Sequence, residues 1–163
     1  MPSTYTPIAT NTLGSAASSV TFSSIPSTYT DLILIENYSL ASSGSQSVVT
    51  LNGTSSTYSN TNLYGNGTSA FSSRFTGVGG FGSSPGIGDT ANQIITMIRH
   101  FNNYSNSTTY KNCMQRKSDA LDNTWATIGL WQSTSAITSI TCTSFSGNYN
   151  SGSTFTLYGI KAA

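Results

Sequence analysis

The stretch Ser18–Leu40, SSVTFSSIPSTYTDLILIENYSL, narrows the possible folds more than any other part of the chain. Val20, Phe22 and Ile25 are separated by Thr and Ser, the spacing of a strand with one face in a core and one in water. Ile25-Pro26-Ser27-Thr28-Tyr29-Thr30 breaks the pattern, because Pro26 has no amide to give a ladder and fixes its own φ. Leu32-Ile33-Leu34-Ile35 follows, the most concentrated aliphatic run in the sequence, too short for a typical helix and bounded by Asp31 and Glu36. This reads as a hairpin whose second strand is buried on both faces. A strand covered on both sides needs layers around it, and the expectation is a β-sandwich.

The remaining composition agrees with one folded domain of 163 residues. Only 7% of residues are charged, so the surface is polar but uncharged. Disorder is excluded by nine Tyr, seven Phe and two Trp, which supply the apolar area that disordered chains lack. A formal net charge of +1 gives little repulsion between copies, which suits a component meant to assemble. The cations Arg74, Arg99, Lys111, Arg116, Lys117 and Lys161 are too scattered to form a nucleic-acid stripe. No apolar run approaches the ~20 residues of a membrane span. MPSTYTPIATNTLGSAASS has neither the basic nor the apolar region of a signal peptide, so the expectation is a chain made and folded in a cytoplasm. Without secretion, Cys113 and Cys142 read as buried reduced thiols.

Residues 1–13 read as an N-terminal arm or edge strand, with Tyr5 and Ile8 apolar and Pro2 and Pro7 barring a central position. Residues 14–163 read as the sandwich. Gln46–Leu51 is a short strand ending in the turn Asn52-Gly53, and Ser55–Ser73 reads as short strands and exposed loops around Tyr58, Leu63, Tyr64 and Phe71. GVGGFGSSPGIG, from Gly77 to Gly88, reads as a flexible surface loop; Asp89 stands where a phosphate-binding loop needs Lys. Ala91–Tyr104 fits a helical stripe locally, but its β-rich neighbours favour a strand with Ile94 and Ile98 on one face and Ile95, Met97 and Phe101 on the other. Further strands follow at Thr109–Lys117, Thr124–Gln132, Ile137–Phe145 and Ser153–Ile160. Eight to ten short strands with turns between them and no firm helix define an all-β class: a jelly-roll-like antiparallel β-sandwich in a single domain.

Chemistry is sparse. His100 has no nucleophile frame around it, and one His with two distant Cys lacks zinc spacing. Asp119, Asp122 and Asn123 read as a polar turn rather than a calcium loop, and nothing pairs two of the five acids as a glycosidase requires. The expectation is therefore no catalytic residue, no metal and no cofactor. Sugar binding is the alternative: Tyr58, Tyr64, Phe81 and Tyr149 lie in or beside expected loops, where aromatic rings could stack on glycan.

STYTPIATNTLGSAASSVTFSSIPSTYTDLILI, NYSNSTTYK, IGLWQSTSAITSIT and GSTFTLYGIKAA together resemble small virion structural proteins of tailed bacteriophages, notably those of aquatic bacteria. The resemblance spans nearly the whole chain and carries no catalytic motif. It implies a virion component, and the chain's length and its own Met1 favour a capsid decoration or cement protein over the end domain of a tail fibre. Such proteins clamp neighbouring capsomers, often as trimers. The implied partners are further copies of the chain and the major capsid protein or other virion proteins, with the arm residues Tyr5, Pro7 and Ile8 as contacts. A tail fibre or receptor-binding component that recognises host surface glycan is the alternative.

Overall fold

The computed structural model describes residues 4–84, 88–119 and 123–161. Among them are eleven strands and no helix. They are β1 (Tyr5–Thr12), β2 (Ser19–Phe22), β3 (Asp31–Tyr38), β4 (Ser47–Leu51), β5 (Tyr58–Gly65) and β6 (Ala70–Val78), then β7 (Ile95–Phe101), β8 (Lys111–Asp119), β9 (Thr124–Trp131), β10 (Ile140–Ser144) and β11 (Thr154–Ile160). The expected antiparallel sandwich forms, with unequal sheets: eight strands in the order β1-β11-β3-β7-β8-β9-β5-β6, and three in the order β2-β10-β4.

Alternation explains which side chains fill the space between the sheets. Leu32 and Leu34 of β3, Ile95, Met97 and Phe101 of β7, and Phe155 and Leu157 of β11 point inward from the large sheet. Val20, Phe22, Val49, Leu51, Ile140 and Cys142 meet them from the small one. Each such aliphatic or aromatic side chain contributes about 1.5–3 kcal/mol on burial. Cys113 and Cys142 are buried as free thiols. The Ala91–Tyr104 ambiguity resolves as the strand β7, with Ile95, Met97 and Phe101 inward and Ile98 outward.

Three expectations need correction. First, β2 and β3 do not form a hairpin, since β2 belongs to the small sheet and β3 to the large one. The segment around Pro26 crosses between layers, tied by the Ile25 amide to the Thr138 carbonyl and by the Tyr104 hydroxyl to the Pro26 carbonyl. Second, β3 is buried on one face only: Leu32 and Leu34 are fully covered, whereas Ile33 and Ile35 are half-buried. Two layers cover one face of each sheet, and no third layer of described residues lies on the other.

Third, the glycine-rich segment after β6 is no surface loop. Phe81 exchanges two backbone hydrogen bonds with Val49, each 2.9 Å, and its ring is fully buried edge-on to Tyr58. The glycines permit backbone to lie on backbone. A Cβ on Gly80 would stand 2.6 Å from the Val49 carbonyl oxygen, and one on Gly129 would stand 2.3 Å from the Phe81 ring. The segment is thus a strap pressed across β4 and β9, glycine-rich for close approach rather than for mobility. Residues 85–87 of the expected loop lie outside the described residues.

Candidate functional site

The interior polar groups are the first place to look for chemistry. Arg99, on the inward face of β7, is fully buried. Its Nε donates to Glu36 Oε1 at 2.5 Å, its Nη2 to the Ser47 carbonyl at 2.7 Å, and its Nη1 to Gln115 Oε1. Ser47 Oγ donates to Glu36 Oε2 at 2.5 Å, so its single proton is committed and Tyr149 OH, 2.8 Å away, must donate to Ser47. Beside this network Lys117 Nζ meets Asp89 Oδ1, and Tyr38 OH donates to Asp89 Oδ2 at 3.0 Å. Burial, the largest single influence, opposes the Arg99 charge, but Glu36 together with the nearby Cys113 and Cys142 holds the guanidinium above its ordinary range. The four charges pair off as two neutral couples, and the arrangement fixes how β3, β4, β7 and β8 register on one another.

The four aromatics expected to carry sugar binding are placed otherwise. Tyr58 opens β5 with its ring buried between Phe81 and Trp131, and Tyr149 is buried between Tyr38 and Phe155. Phe81 is the strap's anchor. These three are core side chains, a correction to their expected exposure; turn residues around them misled the sequence reading, because each turn dips into the core at its aromatic. Tyr64 is only half-buried, yet both its ring faces are occupied, by Phe71 at 4.8 Å and Trp125 at 4.6 Å. Lys117 Nζ sits 4.3 Å over the far face of that stack, on Trp125. A ring with both faces covered is no sugar platform.

The outer face of the large sheet is a different matter. One row runs Ile33, His100, Met114, Ile128, Thr61 and Arg74 across six strands, and the next runs Ile35, Ile98, Arg116, Ala126, Leu63 and Ser72. Leu63 is 61% exposed, Ile128 54% and Met114 44%, and together they border a shallow depression of about 460 Å³. Arg116 rises beside it. At one end His100 Nε2 lies 3.1 Å from Asp31 Oδ2, and Asp31 Oδ1 accepts from the Asn103 amide. Asp31 is the one carboxylate on this face among the described residues. The face is therefore apolar at its centre and basic in balance. The sequence signal for it was present: β3 and β9 carry apolar residues at both parities, more than two layers can cover.

Tyr5, Pro7 and Ile8 lie on β1, paired along β11 rather than free as an arm. Tyr5 packs edge-on to Tyr158 with ring centroids 6.5 Å apart, Pro7 is exposed, and Ile8 packs against the core. Of the expected polar turn, Asn123 donates to both carboxylate oxygens of Asp119, and Asp122 lies outside the described residues. Compared with protein-family models, curated proteins and solved structures, the chain gives no match.

Proposed function

We propose that the protein is a non-enzymatic structural component of a tailed-phage virion, a capsid decoration protein that bridges capsomers through the outer face of its large sheet. The observation that supports this reading is that face: apolar side chains of β3, β5, β7, β8 and β9 lie under no third layer of described residues, while the buried Arg99–Glu36 and Lys117–Asp89 pairs are neutral couples. Exposed contiguous apolar area on this scale is the mark of a surface meant to be covered. The whole face, apolar and polar side chains together, spans roughly 29 Å across six strands by 23 Å along them, about 670 Å², a little under the ~800 Å² per partner of a standard interface. Arg116, with no carboxylate near it on the face among the described residues, fits a capsomer surface that presents an acidic side chain among apolar ones. The resemblance of the sequence to small phage virion proteins points the same way. The glycan-binding alternative would need a platform other than Tyr58, Tyr64, Phe81 and Tyr149, which are buried or stacked on both faces.

Labelling of intact particles with an antibody to the protein tests the placement, and the expected result is signal over the head. Signal confined to the tail would replace this reading with the fibre alternative; particles without signal would remove both. Ile128→Glu should abolish particle occupancy with an unchanged melting temperature. Deleting residues 2–13 is a poor test, because it strips β1 from β11 and lays open a sheet edge.

A further inference from the structure

The two edges of the eight-stranded sheet are built differently. β1 carries Pro7, which has no amide to donate, and a register shift between Pro7 and Ala9. Both are devices that keep an edge from pairing. β6 has nine residues, no proline and one charge, Arg74, and no described strand lies beyond it. A second feature converges on the same edge. The Trp125–Tyr64–Phe71 ladder runs across β9, β5 and β6 with rings within 18° of parallel and stops at Phe71, which is 43% exposed. Tyr64 covers one face of that last ring, and the other points off the sheet.

We propose that two copies of this chain join edge to edge along β6, in a two-fold antiparallel pairing centred on Ser73. The strand's own sequence selects this register. Centring on Ser73 places Phe71 opposite Phe75, Ala70 opposite Thr76 and Ser72 opposite Arg74, so all of residues 70–76 pair. Phe71, Ser73 and Phe75 share the inward face, and each ladder therefore continues onto the partner's Phe75, an aromatic cross-strand pair. Centring on Arg74 would set two guanidinium groups directly opposite, and centring on Ser72 would leave both Phe75 rings unmatched. A two-fold contact closes on itself. With β1 blocked, the eight-stranded sheet offers no second open edge among the described residues for a ring or filament built on this pairing, so the expected unit is a dimer rather than the trimer that the phage resemblance implies. The pairing does not depend on where the protein acts.

Sedimentation and engineered disulfides test it. The wild-type chain should sediment at twice its 17.1 kDa. Directly opposed antiparallel residues have Cα atoms about 4.5–5.5 Å apart, within disulfide reach. Ser73→Cys should therefore cross-link to a dimer under mild oxidation. Thr76→Cys should not, because in this register the two copies of that position lie about 20 Å apart along the strands. Cys113 and Cys142 are buried and do not compete. Phe71→Lys should sediment at 17.1 kDa with an unchanged circular dichroism spectrum. A wild-type chain that stays monomeric at high concentration, a Phe71→Lys variant that stays dimeric, or cross-linking at position 76 as ready as at 73, would each overturn the proposal.

Discussion

Tyr38 and Tyr149 stand at the two ends of the buried network, one donating to Asp89 and the other to Ser47 beside Glu36. Both must stay neutral for the network to survive. Burial pushes their hydroxyls well above the ordinary range; Asp89 adds to this for Tyr38, and Cys142 adds to it for Tyr149. Burial likewise pushes the Cys113 thiol up, with Arg99 pulling partly back, and it raises Cys142 in the same direction. In every case the folded chain holds the proton more tightly than the unfolded one. Their stabilising contribution is complete below the ordinary thiol and tyrosine values, about 8.5 and 10, and falls as pH rises past them. Urea midpoints should therefore hold level up to about pH 8 and drop progressively from about 9 to 11. Absorbance at the tyrosinate band should show Tyr38 and Tyr149 ionising only as the protein unfolds. None of this was legible in the sequence, because pairing Glu36 with Arg99 requires knowing that β3 lies beside β7, and pairing Asp89 with Lys117 requires knowing that the segment after the strap packs against β8.

At the scale of elements, β3 shows what a pattern can and cannot disclose. Its aliphatic run marks it as a central strand, and it does lie between β11 and β7. How many layers cover it is a property of the whole topology, which no window of eight residues contains. Leu34→Asp would bury an unpaired charge and should leave the chain unfolded. Ile33→Asp, on the uncovered outer face, should fold with a loss of about 1 kcal/mol or less. Equal damage from both would mean that the face is covered within the chain. The strap shows the opposite failure: glycine content reads as looseness, and here it serves contact. Gly129→Ala drives a methyl into the Phe81 ring and should lose about 1–3 kcal/mol. Combined with Phe81→Leu, which makes room at that position, the loss should fall short of the sum of the two single changes, as a denaturant-based double-mutant cycle would measure.

For the molecule as a whole, the small charge complement is divided in a way that composition could not show. Arg99, Lys111, Lys117, Glu36 and Asp89 are buried, five of the eleven charged side chains, so the exterior is poorer in charge than the sequence suggests. Among the described residues, the charges that remain on the outer face of the large sheet are Arg116 and Arg74, with Asp31 already held by His100 and Asn103. Association through such a surface is driven by apolar burial, with Arg116 adding one contact at its margin. An exposed ion pair contributes about 0.2–1 kcal/mol and is weakened by salt, whereas apolar burial is not. Under the proposed decoration role, raising sodium chloride from about 0.05 to 0.5 M, which shortens the Debye length severalfold, should therefore lower affinity for phage particles by no more than about fivefold. A docking surface that worked by charge would lose far more over the same range. Arg116→Gln should flatten even the small salt dependence while leaving most of the binding in place. Ile128→Glu should remove binding at every salt concentration, because it places a charge where apolar area is the driving force. A titration of particle occupancy against salt for the three proteins separates these outcomes, and steep salt weakening of the wild type would assign the contact to charge instead of to the apolar rows of β3, β7, β8 and β9.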